Sequence, residues 1–446
     1  IESANMNGGD RMVVVQDKLP HPSGLTLYED YIFWTDWKTG SIERANKTNG
    51  SNRTRIQGNL DLIMDVQVFH TSRQSGWNSC GANNGGCTHL CIAHPFDSTN
   101  NYTHHCACPT HYEIHTDNKT CNAPESFLLF SQKNSISRIS NDVFDSPDVI
   151  LPIQGLRNIK ALAFDPIERH VYWIDWRAKT IRRATENGTS TMALVPNPQP
   201  QDRFVPWDLA IDPYARTLYW TDSLNNAINV TRLDTQSVGV IMSGPQQKPR
   251  SIALAPEHGF MFWTNMVKPP VIERAKMDGT AQMTLFSSGF KQPGQLAVDE
   301  ERKRLFWTDT ELKRIEMGKF DGSHRQVIVE EILRPASLTV FEGHLYWIDE
   351  EQQLIERIAL GSGKKGSNPR TYIRERVKNR VGHLTDIIGI PKLNEEAFES
   401  HPCQYNGGCS HICYANSEKK RSCSCPLDLT LTSTEMTCEE PPTCKP

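Results

Sequence analysis

Five aspartates end similar aromatic segments and could supply carboxylates for acid–base catalysis or metal binding. In each segment an aromatic residue and a tryptophan precede Ile or Thr and then the acid: Asp36, Asp175, Asp222, Asp309 and Asp349. A sixth copy carries Asn265 in the same place. An amide can cap a turn but is a poor acid or base. We therefore predict that these side chains hydrogen-bond backbone amides where a strand ends and a turn begins.

Two other clusters could bind ligands. The first cluster consists of four histidines, His104, His105, His111 and His115. It is a weak candidate for a metal site, because a nearby glycan sequon predicts an exposed loop. The second cluster is a run of basic residues, namely Lys364, Lys365, Arg370, Arg374, Arg376, Lys378 and Arg380. It could bind heparan sulfate or an acidic partner. Glu375 interrupts the run, however, and favours a solvated edge. No phosphate loop, nucleophile elbow or zinc-protease motif occurs in the sequence. We predict no enzyme, no cofactor and no metal.

The aromatic segments themselves recur along the chain. From Trp173 the tryptophans step on by 47, 43, 44 and 40 residues, and a degenerate copy places Leu128 where the tryptophan belongs. A period of 40 to 50 residues is typical of propellers and solenoids. Six copies between residues 125 and 392 predict one complete six-bladed β-propeller in an all-β protein. We expect 385–389 to be the strand that closes the ring.

One repeat shows the plan of a blade. Alternating segments predict strands at 295–299, 304–308, 313–319 and 326–329, with a hairpin turn at Asp321-Gly322. Residues 1–72 hold fewer than two repeats, which predicts a partial propeller with a hairpin turning at Asn7-Gly8.

Composition limits the partners. The net charge of −4 over 446 residues argues against nucleic acid or an anionic membrane surface as partner. No apolar run approaches the ~20 residues that span a bilayer, and the first residues read as the end of a repeat rather than as a signal peptide. We expect a segment of a longer protein whose transmembrane helix lies elsewhere.

Thirteen cysteines form two sets of six and one single residue, Cys444. The two sets are Cys80, Cys87, Cys91, Cys106, Cys108 and Cys121, and Cys403, Cys409, Cys413, Cys423, Cys425 and Cys438. Such clusters indicate disulfide-bonded modules made in an oxidising compartment, and spacing alone leaves 15 possible pairings for each. Seven glycosylation sequons agree with that compartment: Asn46, Asn49, Asn52, Asn101, Asn118, Asn187 and Asn229.

Each set of six, with Asn-Gly-Gly before its second cysteine, resembles an EGF-like module. The resemblance implies these disulfides: Cys80–Cys91, Cys87–Cys106, Cys108–Cys121, Cys403–Cys413, Cys409–Cys423 and Cys425–Cys438. The predicted domains are 1–72 (the end of a propeller), 77–122 (a module), 125–392 (the complete propeller), 400–439 (a module) and 440–446 (the start of a cysteine-rich region like the type A repeats of the LDL receptor).

The repeats and modules resemble the YWTD propellers of the low-density-lipoprotein-receptor superfamily, and their order resembles its Wnt co-receptors, the Arrow class. The resemblance implies the end of the third propeller, the third module, the fourth propeller and the fourth module of a single-pass cell-surface receptor. It implies binding of Wnt proteins and Dickkopf-type antagonists through propeller top faces, in a complex with Frizzled. An endocytic cargo receptor of the same superfamily is the nearest alternative, and a calcium-dependent propeller hydrolase is a distant one.

In that class an aromatic and acidic patch on the third propeller binds ligand. The matching positions here are His21, Trp37, Asp61 and Met64, whereas Ser23 and Leu62 stand where the family tends to have aromatics. Trp37 is a candidate on physical grounds too, because it follows a strand, falls in a loop and is a large aromatic beside an acid.

Overall fold

The structure is a computed structural model, and it describes residues 1–5, 9–73, 77–94, 104–140, 147–195, 203–361, 372–415 and 420–441. The chain forms two compact units, residues 1–107 and 108–446, so the first cysteine module contributes to both. Regular structure is almost entirely β, as predicted. Within the described ranges, no helix has the length and apolar character needed to cross a bilayer.

The second unit contains six antiparallel sheets of four strands, which we number as blades 1 to 6. From the inner to the outer strand, blades 1 to 3 are Leu384–Ile390, Phe127–Gln132, Ser135–Ile139, Val149–Ile150; Ile159–Asp165, His170–Asp175, Thr180–Thr185, Met192–Val195; and Pro206–Asp212, Thr217–Asp222, Ala227–Arg232, Val238–Ser243. Blades 4 to 6 are Pro249–Ala255, Phe260–Asn265, Val271–Lys276, Met283–Phe286; Pro293–Asp299, Arg304–Asp309, Arg314–Lys319, Gln326–Val329; and Pro335–Phe341, His344–Asp349, Leu354–Ala359, Glu375–Lys378.

Ring closure depends on the last strand of the propeller. Leu384–Ile390 pairs with Phe127–Gln132, more than 250 residues earlier in the chain, so the innermost strand of blade 1 comes from the opposite end of the domain. Each inner strand contacts the inner strands of both neighbouring blades, and the sixth returns to the first. The prediction of a six-bladed ring closed by a strand at 385–389 is confirmed.

The repeated tryptophans pack one blade against the next. Trp307 of blade 5 lies in a buried cluster with Phe262 of blade 4, and Trp347 of blade 6 lies in one with Phe306 of blade 5. Leu128 of the degenerate repeat is fully buried as well. The side chain at this one position of the repeat, a tryptophan in all but the degenerate copy, therefore supplies packing between blades.

Glycine turns join the outer edges of neighbouring blades. In the turn between the third and fourth strands, Gly188, Gly279 and Gly322 adopt positive φ, as the hairpin prediction requires. Each of these glycines lies against the outer edge of the preceding blade. A Cβ atom added at Gly188 would lie 2.1 Å from the carbonyl oxygen of Pro152. The absence of a side chain thus permits contact between blades as well as the turn conformation.

We expect Gly188→Ala to destabilise the ring by about 2 to 3 kcal/mol, because the new methyl group adds a collision with backbone to the strain of a left-handed residue. Gly155→Ala is the matched control. Its φ of +75° resembles the +81° of Gly188, but its surroundings are open, so strain alone should cost about 1 kcal/mol. Urea unfolding of both variants measures the difference. Equal losses would contradict a role for the contact between blades.

The first unit contains one further blade and a short hairpin. The strands of the blade are Pro22–Tyr28, Tyr31–Asp36, Ser41–Asn46 and Thr54–Gln57, and Glu2–Ser3 pairs with Met12–Val13. Trp34 is completely buried in this blade, as its counterparts are in the ring. One blade and a hairpin agree with the fewer than two repeats counted in this part of the sequence. The turn predicted at Asn7-Gly8 lies outside the described residues.

Both cysteine modules are small sheets joined by disulfides. The six disulfides are Cys80–Cys91, Cys87–Cys106, Cys108–Cys121, Cys403–Cys413, Cys409–Cys423 and Cys425–Cys438, the pairs that the resemblance implies. The strands are Leu90–Ala93, His104–Ala107, Glu113–Ile114 and Cys121–Asn122 in the first module, and Ile412–Ala415, Arg421–Ser424, Thr430–Leu431 and Cys438–Glu439 in the second. Short 3-10 turns occur at Asn83–Gly86, Pro256–His258 and Gln404–Gly408, and the α-helix Glu395–Glu399 follows the ring.

The second module packs tightly on blade 3. Ile412 and Tyr414 belong to the same buried cluster as Tyr219 of that blade. Arg232 of blade 3 donates to the carbonyl oxygen of His411 at 3.0 Å. Ahead of the module, the ring of His401 stacks on Tyr214 with 5.5 Å between centroids, and burial lowers the pKa of His401 to about 4. The ring of His401 is therefore neutral at neutral pH, and the module is fixed to the propeller by apolar packing together with the hydrogen bond from Arg232.

Candidate ligand-binding surface

The carboxylate of Asp36 shapes the loop that presents Trp37. Its oxygens accept backbone N–H groups of His21 at 3.0 Å, Thr39 at 3.0 Å and Lys38 at 3.2 Å. Burial alone would raise the pKa of Asp36, but these donors outweigh it and leave the pKa below its usual value. The ionised side chain is thereby committed to folding the turn, and Trp37 points outward with 53 % of its surface exposed.

His21 and Trp37 form one aromatic surface. Their ring centroids are 4.8 Å apart with planes inclined by 31°. The backbone N–H of Trp37 also donates to the carbonyl oxygen of His21 at 3.2 Å, which ties the two loops together. The structure thus brings together two of the four residues that the resemblance implies, in a geometry suited to packing against a partner.

Asp61 and Met64 lie on the segment that follows the outer strand. Leu60 donates its N–H to the carbonyl oxygen of Gly40 at 2.9 Å, and Thr35 donates its hydroxyl to the carbonyl oxygen of Met64 at 3.4 Å. This segment is therefore held beside the loop that carries Trp37. Asp61, Leu62 and Met64 are all exposed, and Leu62, at 90 %, is almost completely so. The surface combines aromatic, apolar and acidic groups.

The other repeated acids perform the turn-capping role of Asp36. Asp175 accepts from Arg177 and Ala178, and Asp349 accepts from four backbone N–H groups. Asp222 and Asp309 each accept from three, while Asn265 accepts from Lys248. The prediction that these side chains cap turns is confirmed.

Comparison with known proteins identifies the family to which the chain belongs. The model "Low-density lipoprotein receptor repeat class B" matches residues 30–62, 259–300 and 303–342, and "Coagulation Factor Xa inhibitory site" matches 80–121. Human "Low-density lipoprotein receptor-related protein 5" is 47 % identical over 451 aligned residues, which cover 100 % of this chain. The chain belongs to the low-density-lipoprotein-receptor-related family.

Other relatives fit the same family. Human "Low-density lipoprotein receptor-related protein 4" is 37 % identical over 430 residues, covering 96 % of this receptor-related chain. The chain spans 27 % and 21 % of the lengths of these two relatives. A chain of the "Crystal structure of Nidogen/Laminin Complex" aligns with a TM-score of 0.53 at 24 % identity, over 60 % of this chain and 100 % of that one. That last likeness supports the propeller fold alone.

Two groups in the described part of this receptor-related chain have metal-like spacing, but most of their candidate ligands are engaged elsewhere. The first combines His104 with Cys87 and Cys91, and both cysteines are in disulfides. The second is Asp165, Glu168 and His170, where Arg216 pairs with both carboxylates, at 2.5 and 3.0 Å. Neither group offers a free set of ligands.

The predicted exposed histidine loop is partly wrong. His104 and His105 lie in the strand His104–Ala107, where the ring of His104 contacts the carbonyl oxygen of Gly85 at 2.9 Å. His111 instead accepts from Arg138 at 3.3 Å. Pairing across the disulfide-bonded hairpin, which the histidine count could not indicate, sends these side chains to separate partners.

The basic run lies partly in regular structure, at the outer edge of blade 6. Its described part includes the strand Glu375–Lys378, and Lys378 forms an ion pair with Asp148. Arg374, Arg376 and Arg380 are exposed. The positions Lys364, Lys365 and Arg370 lie outside the described residues.

One glycosylation prediction conflicts with the structure. Asn229 lies within a strand of blade 3 with only 5 % exposure, so the folded blade has no room for a glycan there. Asn46 is half-buried, whereas Asn49, Asn52, Asn118 and Asn187 are exposed. Asn101 and Cys444 lie outside the described residues. A sequon specifies three residue types and carries no information about which face of a strand they occupy.

Sequence reasoning missed an aromatic surface on the complete propeller. Trp176 follows Asp175 as Trp37 follows Asp36, and it meets Trp207 edge-on with 5.6 Å between centroids. Aligning the repeats by their aspartates would have found Trp176. Trp207 is the second residue of an inner strand, and no repeated aromatic marks that position in the other blades.

Proposed function

We propose that this chain is an extracellular ligand-binding segment of a single-pass cell-surface co-receptor for Wnt signalling. The observation that carries the proposal is the 47 % identity along the whole chain to human low-density lipoprotein receptor-related protein 5. The resemblance to the Wnt co-receptor class adds the ligand classes, namely Wnt proteins and Dickkopf-type antagonists. The chain acts by recruitment: a bound Wnt joins it to Frizzled, and an antagonist competes for the same surface.

The surface formed by His21, Trp37, Asp61 and Met64 supports this role. Exposed aromatic and apolar side chains held on hydrogen-bonded loops lose little conformational entropy on binding, which is the property of interface hot spots. The carboxylate that could have served chemistry, Asp36, is occupied by three backbone donors. We accordingly propose a non-enzymatic binding role with no cofactor and no metal.

We expect Trp37→Ala to weaken binding of a purified Dickkopf-type antagonist by about 2 kcal/mol, roughly 30-fold, because it removes the largest exposed group of the surface. Surface plasmon resonance with an ectodomain that contains this region gives the affinity. Trp77→Ala is the matched control, since Trp77 is 80 % exposed and lies outside the candidate surface.

Unchanged affinity in Trp37→Ala, or an equal loss in Trp77→Ala, would remove Trp37 from the binding surface. Failure of the unmutated ectodomain to bind either a Wnt or an antagonist, together with uptake of another cargo by cells that express it, would favour the endocytic receptor instead.

A further inference from the structure

The second residue of each inner strand lines one mouth of the central channel. The strand register supports this equivalence, because in blades 2 to 6 the preceding residue pairs with the turn-capping Asp or Asn of its blade. In order around the ring, starting from blade 2, the six residues are Lys160, Trp207, Arg250, Gly294, Ala336 and Thr385. Three consecutive blades contribute a large side chain and the other three a small one. The mouth is therefore filled on one side and open on the other.

The filled side is a tryptophan between two cations. The ammonium of Lys160 lies 4.4 Å from the centroid of Trp207, and the guanidinium of Arg250 lies 5.0 Å from it. Trp176 contacts the same indole from the side. We call Lys160, Trp176, Trp207 and Arg250 the Trp207 patch. In the described part of the chain, neither cation of this patch forms an ion pair with a carboxylate, so both retain the capacity to bind an anion.

The open side is a cavity of about 260 Å³ that Lys160 and Trp207 share with Ala336 and Thr385. Its volume suits one side chain rather than a whole small-molecule ligand, since those sites are about 300 to 1,000 Å³. Arg334 and Glu350 lie at its rim and pair with each other at 3.2 Å.

Two carboxylates at the floor of the cavity are already engaged. Asp208 accepts from the backbone of Ile252 and from the side chain of Gln295, each at 2.9 Å. Asp386 accepts from Leu162 at 2.7 Å and from Ser337 at 2.6 Å. Burial, with Asp208 nearby, raises the pKa of Asp386 to about 7. These two hydrogen-bonded carboxylates therefore repel an incoming anion less strongly than two free carboxylates would.

We propose that the Trp207 patch and its cavity bind an acidic segment of a partner protein. One carboxylate pairs with Lys160 and Arg250, and an adjacent apolar residue packs on the two tryptophans. Charge complementarity selects this occupant over a basic one. The tryptophans and the single-residue cavity favour a peptide over a sulfated polysaccharide, which would need a longer line of cations. The surface is separate from the one formed by His21 and Trp37 and has the opposite charge, so the inference extends the proposed function without depending on it.

A random heptapeptide library displayed on phage tests the proposal. The whole chain is used for selection, and the Lys160→Gln/Arg250→Gln double variant is used for counter-selection. We expect the peptides specific to the unmutated chain to be enriched in Asp or Glu beside an apolar residue. A selected peptide, labelled with fluorescein, should bind at least tenfold more weakly to the double variant and to Trp207→Leu. Replacing the acidic residues of the peptide by Asn or Gln should weaken its binding to the unmutated chain by a similar factor.

Lys319→Gln, at an exposed position on blade 5, should leave this binding unchanged, as should Trp37→Ala. A negative result in the antagonist experiment with Trp37→Ala would therefore be distinguishable from a negative result in the peptide experiment with the Trp207 patch. Selected peptides that lack acids, or that bind the double variant equally well, would overturn the proposal. The proposal would also be overturned if no acidic peptide were selected and a heparin oligosaccharide instead bound in a manner that required Lys160 and Arg250.

Discussion

Trp307→Ala is expected to destabilise the complete propeller by about 3 to 5 kcal/mol, the range for removing a buried large aromatic side chain. The indole is fully buried between blades 4 and 5, with its ring 4.8 Å from that of Phe286. The guanidinium of Arg325 covers it at 5.5 Å from its centroid. Truncation would leave a cavity between two sheets that are each held rigid by four paired strands, so the site can collapse only slightly.

Urea unfolding followed by fluorescence measures this loss, since the tryptophans that remain report the transition. Trp77→Ala is the control, because the same atoms are deleted from a position that is exposed. Its free energy of unfolding should change by no more than about 0.5 kcal/mol. A similar shift in both variants would mean that the repeated tryptophan does not carry packing between blades.

Glu186→Ala should cost a comparable 3 to 5 kcal/mol through electrostatics rather than packing. Glu186 is buried and accepts from both Arg138 and Arg169, the latter at 2.8 Å. Arg138 is buried too, and it also donates to the carbonyl oxygen of Thr110 in the first module at 3.3 Å. Removing the carboxylate would leave a buried guanidinium without its anion, and this guanidinium fastens part of the first module to blade 1.

Lys392→Ala is the matched control for a salt bridge. Lys392 pairs with Glu125 at 2.6 Å, but both side chains are largely exposed, and such pairs contribute about 0 to 1 kcal/mol. Thermal unfolding of both variants at two salt concentrations separates the cases. Added salt should weaken the exposed pair and leave the loss in Glu186→Ala nearly unchanged. A small loss in Glu186→Ala would show that Arg169 and Arg138 find other anions.

The ring could be predicted because its information is repeated. Each blade carries the aromatic segment and, in several blades, a glycine turn, so five clear copies allowed Leu128 of the weak copy to be placed in its correct strand. The closing strand followed from geometry, since a ring must join its ends. Trp37 could also be predicted, because its exposure follows from its position directly after a turn-capping acid.

Contacts between unlike positions could not be predicted. Nothing in the local sequence of Arg138 indicates that Glu186, 48 residues later, is its partner, or that it reaches Thr110 in the first module. The contact between His21 and Trp37 likewise joins two loops. Asn229 shows the converse, because its sequon is local while its burial depends on the strand that it pairs with. Motifs specify what a segment can do, and the packing of distant segments decides whether it does so.

Closure of the ring by its last strand has a mechanical consequence. Phe127 and Ile390 are directly paired in adjacent antiparallel strands, so the chain enters and leaves the propeller at one point. A force that pulls these two ends apart would load the hydrogen bonds between the strands one after another, as in a zipper, instead of all together as in shear. The seam beginning at Phe127 and Ile390 is therefore where the propeller would yield under tension, and the ion pair between Glu125 and Lys392 just outside it would be the first contact to break.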